Sequence, residues 1–488
     1  MAAAAACRHD SPPLVPPTVY QPRRPERTVA YQAVQGHLET WLHLVRSSEP
    51  DGDPVPAHVE REFRQYLTCG VLAHGFVRAR CADCGHDFLV AFSCKGRGVC
   101  SSCSTRRMAE TAAHLVDHVF PEVPVRQWVL SLPKRLRYFL HRDARLVNPV
   151  LRIFLAEVEM ALRACSPDAP SEARFGAVTF VHRFGSALNA NLHFHCCVID
   201  GLFSAAEAGL RFHPVCLTEA AIARVQQRTR RRVLKLFERR ALLPDEAAEL
   251  MLGWEHRGGF SLHAEVWVPA WDRAGLERLL RYCARPIFAG ERLAWVEPDE
   301  RLIYHLPKPR PNGQTVLYLT PVEFLDRLAT LVPPPRKHRH RYHGVLAPHS
   351  PLRPAVTAYA GLPLDLPAPP VTPPAPKTPA EPKRASPAAY LWAVLLARIY
   401  AVLPLICPEC GSPMQLIAAV TEREPVQRIL LHLGEPALPP PVSPARSPPE
   451  EQGFDWDLPA GEASDGREPT FEPPPEFPEF QFDQTVNW

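Results

Sequence analysis

Apolar side chains recur every three or four residues near the start of the chain, over residues 27–68, as at Val34, Leu38 and Trp41. Polar side chains occupy most of the intervening positions. This spacing is typical of amphipathic helices, so the segment is predicted to be helical. A cysteine-rich stretch follows to about residue 104, and residues 105–120 show the helical spacing again.

The pattern changes to strands from residue 125 onward. Apolar or alternating runs predict strands over residues 125–132, 176–184, 192–203, 261–268 and 315–319. Helices are predicted over 134–164, with a break or kink at Pro149, over 272–285, and from Pro321 onward. Asp272 is a suitable N-cap, and Pro286 prevents its helix from continuing. This order of elements predicts an α+β fold, with an antiparallel sheet backed by helices.

Proline divides the chain into compact and extended parts. Of the 57 prolines, 6 fall in residues 1–26, 16 in residues 333–387 and 13 in residues 434–488. Prolines at that density interrupt helices and strands, so we expect a disordered N-terminus, a proline-rich linker and a disordered tail. Two compact blocks remain, 27–332 and 388–433. The hydrophobic content of 46% excludes a wholly disordered or fibrous chain.

Charge is distributed as unevenly as proline. Residues 434–488 contain 12 acidic side chains and only Arg446 and Arg467 as bases. Their net charge is therefore −10, which leaves +13 on the remainder of a chain whose total is +3. A basic body indicates a polyanionic partner, most simply nucleic acid. The alternative is that the excess of arginine only increases solubility.

The longest apolar stretch covers residues 388–406, with Arg398 near its middle and Pro404 near its end. Leu395, Ile399 and Leu403 follow the spacing of one helical face, which favours a packed soluble helix over a membrane span. The N-terminus lacks the apolar run of a secretory signal. We therefore expect a cytoplasmic protein that has no membrane partner.

Two Cys-x-x-Cys pairs indicate a metal site. Cys81 and Cys84 precede Cys100 and Cys103, a spacing that places four thiolates around one tetrahedral Zn²⁺, as in a zinc ribbon. Cys94, Cys69 and His74 are close enough in sequence to substitute for one of these ligands. Unliganded buried cysteines are the alternative, but the flanking residues are basic, which suggests contact with phosphates.

Two histidines alternate in an otherwise apolar strand. His193 and His195 are predicted to project from one face, while Phe194 and Cys196 point into a core. Two imidazoles at this spacing can hold a divalent cation together with a third ligand from elsewhere. An isolated His-x-His pair is more often surface or core histidine, but unpaired imidazoles inside an apolar strand are costly.

Tyr282 lies on the predicted helix that begins after Asp272. Arg278, Tyr282 and Arg285 fall on one face, beside the apolar stripe of the helix, and Arg281 directly precedes the tyrosine. Arginines can stabilise a phenolate and can hold a phosphate against it. The alternative is an ordinary helix tyrosine that packs its ring and exposes its hydroxyl.

Two further features accompany these motifs. A basic run opens the proline-rich linker and includes Arg336, Lys337, Arg339 and Arg341, which can contact phosphates without sequence specificity. Without further support, a solvated charged loop explains it nearly as well. Cys407 and Cys410 form only half of a zinc ribbon, and a distant histidine is one way to complete a site there.

Several short motifs between residues 60 and 433 occur in the same order in one known family. They are Ser93-Cys94-Lys95, Met108-Ala109-Glu110-Thr111-Ala112, Arg183-Phe184-Gly185-Ser186-Ala187-Leu188-Asn189, His193-Phe194-His195, Arg281-Tyr282, Arg285-Pro286, Leu319-Thr320-Pro321, Arg341-Tyr342-His343-Gly344 and Cys407-Pro408-Glu409-Cys410-Gly411. With them, the chain resembles the HUH-type rolling-circle transposases of the insertion-sequence 91 family and its common-region relatives.

The resemblance implies a mechanism. His193 and His195 would hold Mg²⁺ or Mn²⁺ against a scissile phosphate of single-stranded DNA. Tyr282 would be the nucleophile that forms a 5′-phosphotyrosine link and releases a 3′-hydroxyl. The cation would neutralise developing charge, and the covalent ester would conserve the bond energy for rejoining. Arg278, Arg281, Arg285 and the basic run would contact the DNA.

The chain departs from one form of the family pattern. Members with two catalytic tyrosines place them four residues apart, and Arg278 occupies the position four before Tyr282. The single-tyrosine subgroup is therefore favoured, with Tyr138, Tyr304 and Tyr318 as outside candidates for a second nucleophile. In some relatives the third metal ligand follows the nucleophile on the same helix. That position is Pro286 in this chain, and proline cannot bind a metal ion, so His182 and His263 are the candidates.

The expected organisation follows from the patterns and the resemblance together. It comprises a disordered N-terminus (1–26), a helical N-terminal segment (27–68), a zinc-ribbon DNA-binding domain (69–120), an HUH endonuclease domain (121–332), a basic proline-rich linker (333–387), a C-terminal helix and Cys-x-x-Cys segment (388–433) and a disordered acidic tail (434–488). We expect a nucleoid-associated transposase that acts on single-stranded DNA of transposon ends and target, with no small-molecule substrate. The sequence does not determine its oligomeric state. The rival hypotheses are a zinc-ribbon DNA-binding protein with an inactive nuclease fold and, last, a zinc hydrolase.

Overall fold

The computed structural model describes residues 23–48, 55–206, 209–254, 259–296, 300–310, 312–362 and 406–446. The N-terminal part contains α1 (Val29–Ser48), α2 (Ala57–Thr68), β1 (Phe76–Cys81), β2 (Asp87–Ala91) and α3 (Ser101–His118). The middle part contains β3 (Val125–Ser131), α4 (Lys134–Arg142), α5 (Val147–Ala164), β4 (Gly176–Phe184), β5 (Ala190–Ile199), β6 (Gly201–Ala206), β7 (Gly209–Pro214), α6 (Glu219–Arg239), α7 (Asp245–Gly253), β8 (Ser261–His263), β9 (Trp267–Val268) and α8 (Arg273–Ala284). The last part contains β10 (Leu293–Val296), β11 (Arg301–His305), β12 (Val316–Leu319), α9 (Pro321–Leu331), β13 (His340–Gly344), α10 (Arg353–Ala358), β14 (Met414–Val420) and α11 (Arg423–His432).

The central sheet is antiparallel and has the order β13-β4-β5-β3-β8, with β9 also paired to β3. One face packs against a core to which α4, α5 and α6 contribute, and the other face packs against α3 and α8. Phe194 and Cys196 lie in the first core, and Cys197 and Ile199 in the second. Because both faces are covered, β5 is apolar over most of its length rather than on alternate residues.

A third core joins the two ends of the main block. Helices α1 and α2 pack against α9 and the antiparallel meander β10-β11-β12. Helix α9 begins with a capping box, in which the Thr320 hydroxyl accepts from the Glu323 amide and the Glu323 carboxylate accepts from the Thr320 amide. The predicted N-terminal helices are thus part of one packed unit with residues that follow Tyr282.

The α+β class and most predicted elements are present. Asp272 caps α8 as expected, accepting from the Gly275 amide at 2.7 Å. The helical stretch 134–164 breaks before Pro149 rather than at it, because Pro149 lies in the first turn of α5, where its missing amide costs nothing. The strand predicted over 192–203 divides at Asp200, whose carboxylate is paired with Arg126 at 2.9 Å. Helices α6 and α7 were not predicted.

The boundaries of the proline-rich segments need correction. Residues 340–344 form β13, an edge strand paired with β4, and residues 353–358 form α10, so the segment up to residue 362 belongs to the folded unit and not to a linker. Prolines flank β13 without entering it, which is why the composition misplaced the boundary. The rest of the predicted linker, 363–387, lies outside the described residues, as do 1–22.

The C-terminal segments also pack on the N-terminal part. Strand β14 pairs with β1, and residues 434–446 run along α1, where Gln35 donates to the Pro441 carbonyl at 2.7 Å. The start of the expected acidic tail therefore has a fixed place, and residues 447–488 lie outside the described range. The helix predicted over 388–406 lies outside it too, except for Ile406. No helix in the described part of the chain is long and apolar enough to span a membrane.

Candidate active site and metal centres

Three histidines meet on the face of the central sheet that packs against α3 and α8. His193 and His195 alternate along β5, as predicted, and His182 lies on β4 directly opposite His193. Their ring centroids are 4.4 Å apart for His182 and His195, 4.9 Å for His193 and His195, and 5.0 Å for His182 and His193. One ligand nitrogen from each residue lies within 4.8 Å of the others.

Hydrogen bonds to backbone carbonyls define which ring nitrogen is unprotonated in two of the three imidazoles. His182 donates from Nε2 to the Cys283 carbonyl at 2.6 Å, and His193 donates from Nδ1 to the Asn191 carbonyl at 3.0 Å. Nδ1 of His182 and Nε2 of His193 are therefore unprotonated. The amide nitrogen of Gln127 lies 3.0 Å from Nδ1 of His195 and 3.2 Å from the Cys283 sulfur. With the amide turned by 180°, its oxygen would accept from Nδ1, and Nε2 of His195 would be the unprotonated nitrogen.

Burial makes this cluster suited to a cation. The three residues are 2–7% exposed, and both Nδ1 of His182 and Nε2 of His195 are buried without a hydrogen-bond partner. Burial lowers the pKa of His193 to about 4 and lowers the pKa of His182 and His195 well below the usual value. Neutral imidazoles with orphaned lone pairs are costly in a core unless they bind a metal ion.

The structure distinguishes the two candidates for a third ligand. His182 completes the cluster, whereas His263, on β8, lies opposite Val129 and is hydrogen-bonded to Ser261 at 2.8 Å. Sequence alone could not decide between them, because β4 and β8 are both near β5 in the sheet and only the register places a side chain opposite His193.

Tyr282 lies beside the histidines on α8. Its ring meets the His195 ring edge-on, with centroids 5.5 Å apart, and the Arg285 guanidinium lies over the tyrosine ring at 4.5 Å. The helix is held from both ends. Arg273 donates to carbonyls at the end of α3, including that of Val116 at 2.6 Å, and the Cys283 carbonyl accepts from His182. The helix that carries the nucleophile candidate is therefore hydrogen-bonded to one of the three histidines.

The other candidate tyrosines are placed differently. Tyr304 is buried in the core formed with α1 and α9, where burial raises its pKa to about 12. Tyr318 is 59% exposed on β12, and Tyr138 is 53% exposed on α4 with its hydroxyl bonded to Arg142. Among the described tyrosines, Tyr282 is the one whose ring contacts a histidine of the cluster.

The cysteines form two clusters rather than the single ribbon predicted from their spacing. Cys100 and Cys103 join Cys69 and Cys94, whereas Cys81 and Cys84 join Cys407 and Cys410. The prediction of one site with Cys81, Cys84, Cys100 and Cys103 as ligands is therefore wrong as a grouping, although each of the four lies in a cluster. A Cys-x-x-Cys pair supplies half of a tetrahedral site, and the chain fold decides which halves meet.

The first cluster lies at the start of α3. Cys100 is the N-cap residue, its sulfur accepting from the Cys103 amide at 3.4 Å, and Cys103 lies 3.6 Å from both Cys69 and Cys94. Arg23 is buried beside Cys100, although the sequence had placed it in a disordered N-terminus. A buried guanidinium offsets the net negative charge of four thiolates on one Zn²⁺. His74 is not part of either cluster.

A basic cleft of about 860 Å³ lies between this cluster and the histidines. Its wall includes both Cys103 and His182. Among the described residues, ten lysines and arginines line it, against one carboxylate, that of Glu110. The ten are Lys95, Arg97, Arg106, Arg107, Arg183, Arg285, Arg336, Lys337, Arg339 and Arg341. Such a cleft focuses positive potential and concentrates a polyanion at the histidine cluster.

The cations of the cleft are held close together by the loop before α3. Glu62 accepts from the backbone amides of Arg97 and Gly98 at 3.0 and 3.2 Å, and the Arg97 side chain donates to the Lys337 carbonyl. Burial, with Arg107 and Arg97 nearby, lowers the pKa of Arg339 to about 10. Arg339 still carries its charge at neutral pH, and an anion in the cleft would relieve the repulsion among these side chains.

The predicted DNA-contacting residues divide into two groups. Arg285, Arg336, Lys337, Arg339 and Arg341 line the cleft, whereas Arg278 and Arg281 do not. Arg281 is paired with Glu277 at 2.6 Å, and Arg278 lies 3.7 Å from the Asp272 carboxylate. Carboxylates on their own helix thus neutralise both.

Two residues of the site were assigned no role from the sequence. Gln127 touches His195 from the neighbouring strand, and Arg183 lines the cleft beside the histidines. The available signal for Gln127 was a single amide side chain in an otherwise apolar strand, which is costly unless it has a partner. Arg183 directly follows His182, and only the path of β4 shows that it lines the cleft.

Comparison with protein families gives two matches. The family described as "Putative transposase" matches residues 176–353, a region that contains the three histidines and Tyr282. The family described as "Transposase zinc-binding domain" matches residues 37–132, which contain the first cysteine cluster and half of the second. Together with the clusters, this match supports structural Zn²⁺. No curated protein and no solved structure matches the chain.

Proposed function

The chain belongs to the transposases of the insertion-sequence 91 family, so its partner is DNA, and we propose that it nicks and rejoins single-stranded DNA at transposon ends through Tyr282. The observation that carries this proposal is the contact between the Tyr282 ring and a buried cluster of three histidines that borders a basic cleft.

The histidine cluster fits a divalent cation. Nδ1 of His182, Nε2 of His193 and Nε2 of His195 would be the ligands, and the contacts with Cys283, Asn191 and Gln127 would hold the rings in place. When bound, the ion would polarise a phosphoryl oxygen and neutralise charge that develops on it. Because all three ligands are nitrogen, the site favours Mn²⁺ over the harder Mg²⁺.

The reaction needs only an exchange of phosphodiester bonds. Oη of Tyr282 loses its proton and forms a bond to phosphorus while the bond from phosphorus to the 3′ oxygen breaks, which releases a free 3′-hydroxyl. Attack by another 3′-hydroxyl on the tyrosine ester reverses the step and rejoins a strand, so no external energy source is consumed. The Arg285 guanidinium lies 4.5 Å from the centre of the Tyr282 ring, where it would bind a phosphate next to the nucleophile.

The cleft gives the strand its path. The basic side chains of α3, β13 and the loop before β13 bind phosphates, and the strand passes His182 on its way through the cleft. The zinc-binding domain therefore acts as one wall of the DNA channel as well as a folding unit. In this proposal Arg278 and Arg281 shape helix α8 and do not bind DNA.

The test is formation of a covalent protein–DNA adduct. Purified protein is incubated with Mn²⁺ and labelled single-stranded oligonucleotides from both ends of the element that encodes it, and the products are separated on a denaturing gel. Wild-type protein is expected to give a shifted adduct and a free 3′-hydroxyl end, with less adduct when Mg²⁺ replaces Mn²⁺. Tyr282→Phe is expected to bind DNA and give no adduct.

Tyr318→Phe and Tyr138→Phe are the matched controls, because both remove an exposed phenol and neither replaces the tyrosine that contacts His195. Both are expected to form the adduct as wild type does. An adduct that survives in Tyr282→Phe would overturn the proposal. DNA binding without any adduct in the wild-type protein would favour the rival hypothesis of a DNA-binding protein with an inactive nuclease fold.

A further inference from the structure

The second cysteine cluster joins segments from opposite ends of the chain. Cys81 lies 3.5 Å from Cys410, and Cys84 lies 3.4 Å from Cys407, across sequence separations of 329 and 323 residues. Cys81 and Cys407 are buried, whereas Cys84 and Cys410 are exposed. The zinc-binding family match ends at residue 132, so it includes only one half of this cluster.

The two halves have the same local structure. Each is a Cys-x-x-Cys-Gly sequence whose glycine has a positive φ, 77° at Gly85 and 75° at Gly411. In each, the glycine amide donates to the carbonyl of the first cysteine, at 3.1 Å for Gly85 and 2.9 Å for Gly411. The second cysteine of each half also accepts a backbone hydrogen bond two residues further on, from His86 for Cys84 and from Ser412 for Cys410.

The spacing of the sulfurs indicates a metal rather than disulfides. Four sulfurs around one Zn²⁺ at about 2.3 Å lie about 3.8 Å from one another, and a disulfide requires about 2.05 Å. The closest pairs, at 3.4 and 3.5 Å, are near the first value. Two matching half-sites that converge on one point, with two of their four thiols buried beside Ala79 and Met414, fit a tetrahedral thiolate site.

We propose that Cys81, Cys84, Cys407 and Cys410 bind a second Zn²⁺ that fastens the C-terminal segment to the N-terminal zinc-binding domain. Strand β14 follows the second half-site and extends the β1-β2 hairpin to three strands, with Cys81 opposite Met414. Helix α11 then packs on Phe76 and Leu89 through Val426 and Leu430. The zinc-binding domain is therefore assembled from residues on both sides of the nuclease fold.

The described residues on either side of segment 363–405 are held against the body of the protein. The Leu362 carbonyl accepts from the Glu122 amide at 3.1 Å, which attaches residue 362 to the turn after α3. Cys407 would be held by the zinc site.

Zinc content measured on full-length proteins tests the proposal. Wild type is expected to contain two Zn²⁺ per chain by mass spectrometry of the metal. Cys407→Ser/Cys410→Ser and Cys81→Ser/Cys84→Ser are each expected to contain one, and the variant that combines all four substitutions is also expected to contain one. Loss of both ions from the combined variant, or two ions retained after either pair is changed, would overturn the shared site. Cys165→Ser/Cys216→Ser is the matched control, since neither cysteine lies in a cluster, and it should keep both ions.

A second measurement tests whether the zinc site holds the C-terminal segment on the rest of the protein, and it does not depend on comparing metal contents. A protease site is inserted into residues 363–405 of the full chain, the purified protein is cut, and gel filtration follows the fragment that begins after the cut. The fragment is expected to co-elute with the rest of the wild-type protein and to separate in Cys407→Ser/Cys410→Ser. Co-elution in both would overturn the fastening role. Neither assay involves DNA cleavage, so each outcome is independent of the proposed nicking activity.

Discussion

His182 is the proposed third ligand, which the sequence alone could not select, and its replacement gives the sharpest test of the site. His182→Ala removes one of three imidazoles and also the donor that bonds the Cys283 carbonyl at 2.6 Å. Changes to groups outside the ligand set cost 10- to 100-fold in metal affinity, so loss of a ligand is expected to reach at least about 100-fold, or about 2.7 kcal/mol.

The substitution also affects the metal-free protein. An unpaired buried carbonyl costs about 1–3 kcal/mol, and Cys283 follows Tyr282 directly, so the end of α8 is expected to loosen. Two effects of different origin can thus be separated. The lower affinity is seen only with metal present, whereas the lower stability is seen in chelator as well.

Isothermal titration of Mn²⁺ into the apo nuclease site measures the affinity, and urea unfolding in chelator measures the stability. His263→Ala is the matched control, because it removes the other candidate imidazole and leaves the cluster intact. Equal Mn²⁺ affinities for wild type and His182→Ala, or an equal loss in His263→Ala, would refute the assignment of His182 as a ligand.

Three further predictions follow from other parts of the structure. Fluorescence-anisotropy titrations at several salt concentrations give the slope of log affinity for single-stranded DNA against log salt. Arg336→Ala/Lys337→Ala is expected to reduce the magnitude of this slope by about 1.4, since each phosphate contact contributes about 0.7. Arg278→Ala should leave the slope unchanged. Glu157→Gln is expected to lower the free energy of unfolding by about 2 kcal/mol without changing Mn²⁺ affinity. The reason is that the buried Glu157 carboxylate accepts from Arg228 and Arg232 at 2.6 Å and joins α5 to α6. Urea unfolding measures the loss of stability, and an unchanged midpoint would contradict the prediction. Gly344→Ala is expected to destabilise the protein by about 3 kcal/mol or more, since φ is 59° and a Cβ would lie 1.8 Å from the Phe175 carbonyl oxygen. Gly361→Ala is the control, with φ at 72° and nothing near the new Cβ, and it should cost only about 1 kcal/mol. Equal effects of the two substitutions on thermal unfolding would contradict the predicted clash.

Local motifs were predictable because their chemistry is contained in a few neighbouring residues. Alternation along a strand places His193 and His195 on one face whatever the rest of the fold does. The Asp272 cap and Pro286 define α8 in the same way, and so place Tyr282 on a helix. A glycine follows the second cysteine of two Cys-x-x-Cys pairs, Gly85 after Cys84 and Gly411 after Cys410. Both glycines have positive φ, as a tight turn after the cysteine requires.

Boundaries drawn from composition were less accurate. Proline content assigned residues 333–362 to a linker, yet β13 lies between the prolines and completes the edge of the sheet beside β4. An average over a window does not resolve a five-residue strand within it. The basic run therefore belongs to the wall of the cleft, where backbone pairing fixes the direction of Arg339 and Arg341.

The sequence by itself determined the α+β class, the residue types of the site and the half-sites that could bind metal. Only the tertiary structure decided how the half-sites combine. Every Cys-x-x-Cys pair offers the same two thiolates, so spacing along the chain favoured Cys81 with Cys100, whereas pairing of β14 with β1 brings Cys407 and Cys410 to Cys81 and Cys84. His182 likewise faces His193 because of strand register, a property of contacts between distant residues that no local period encodes.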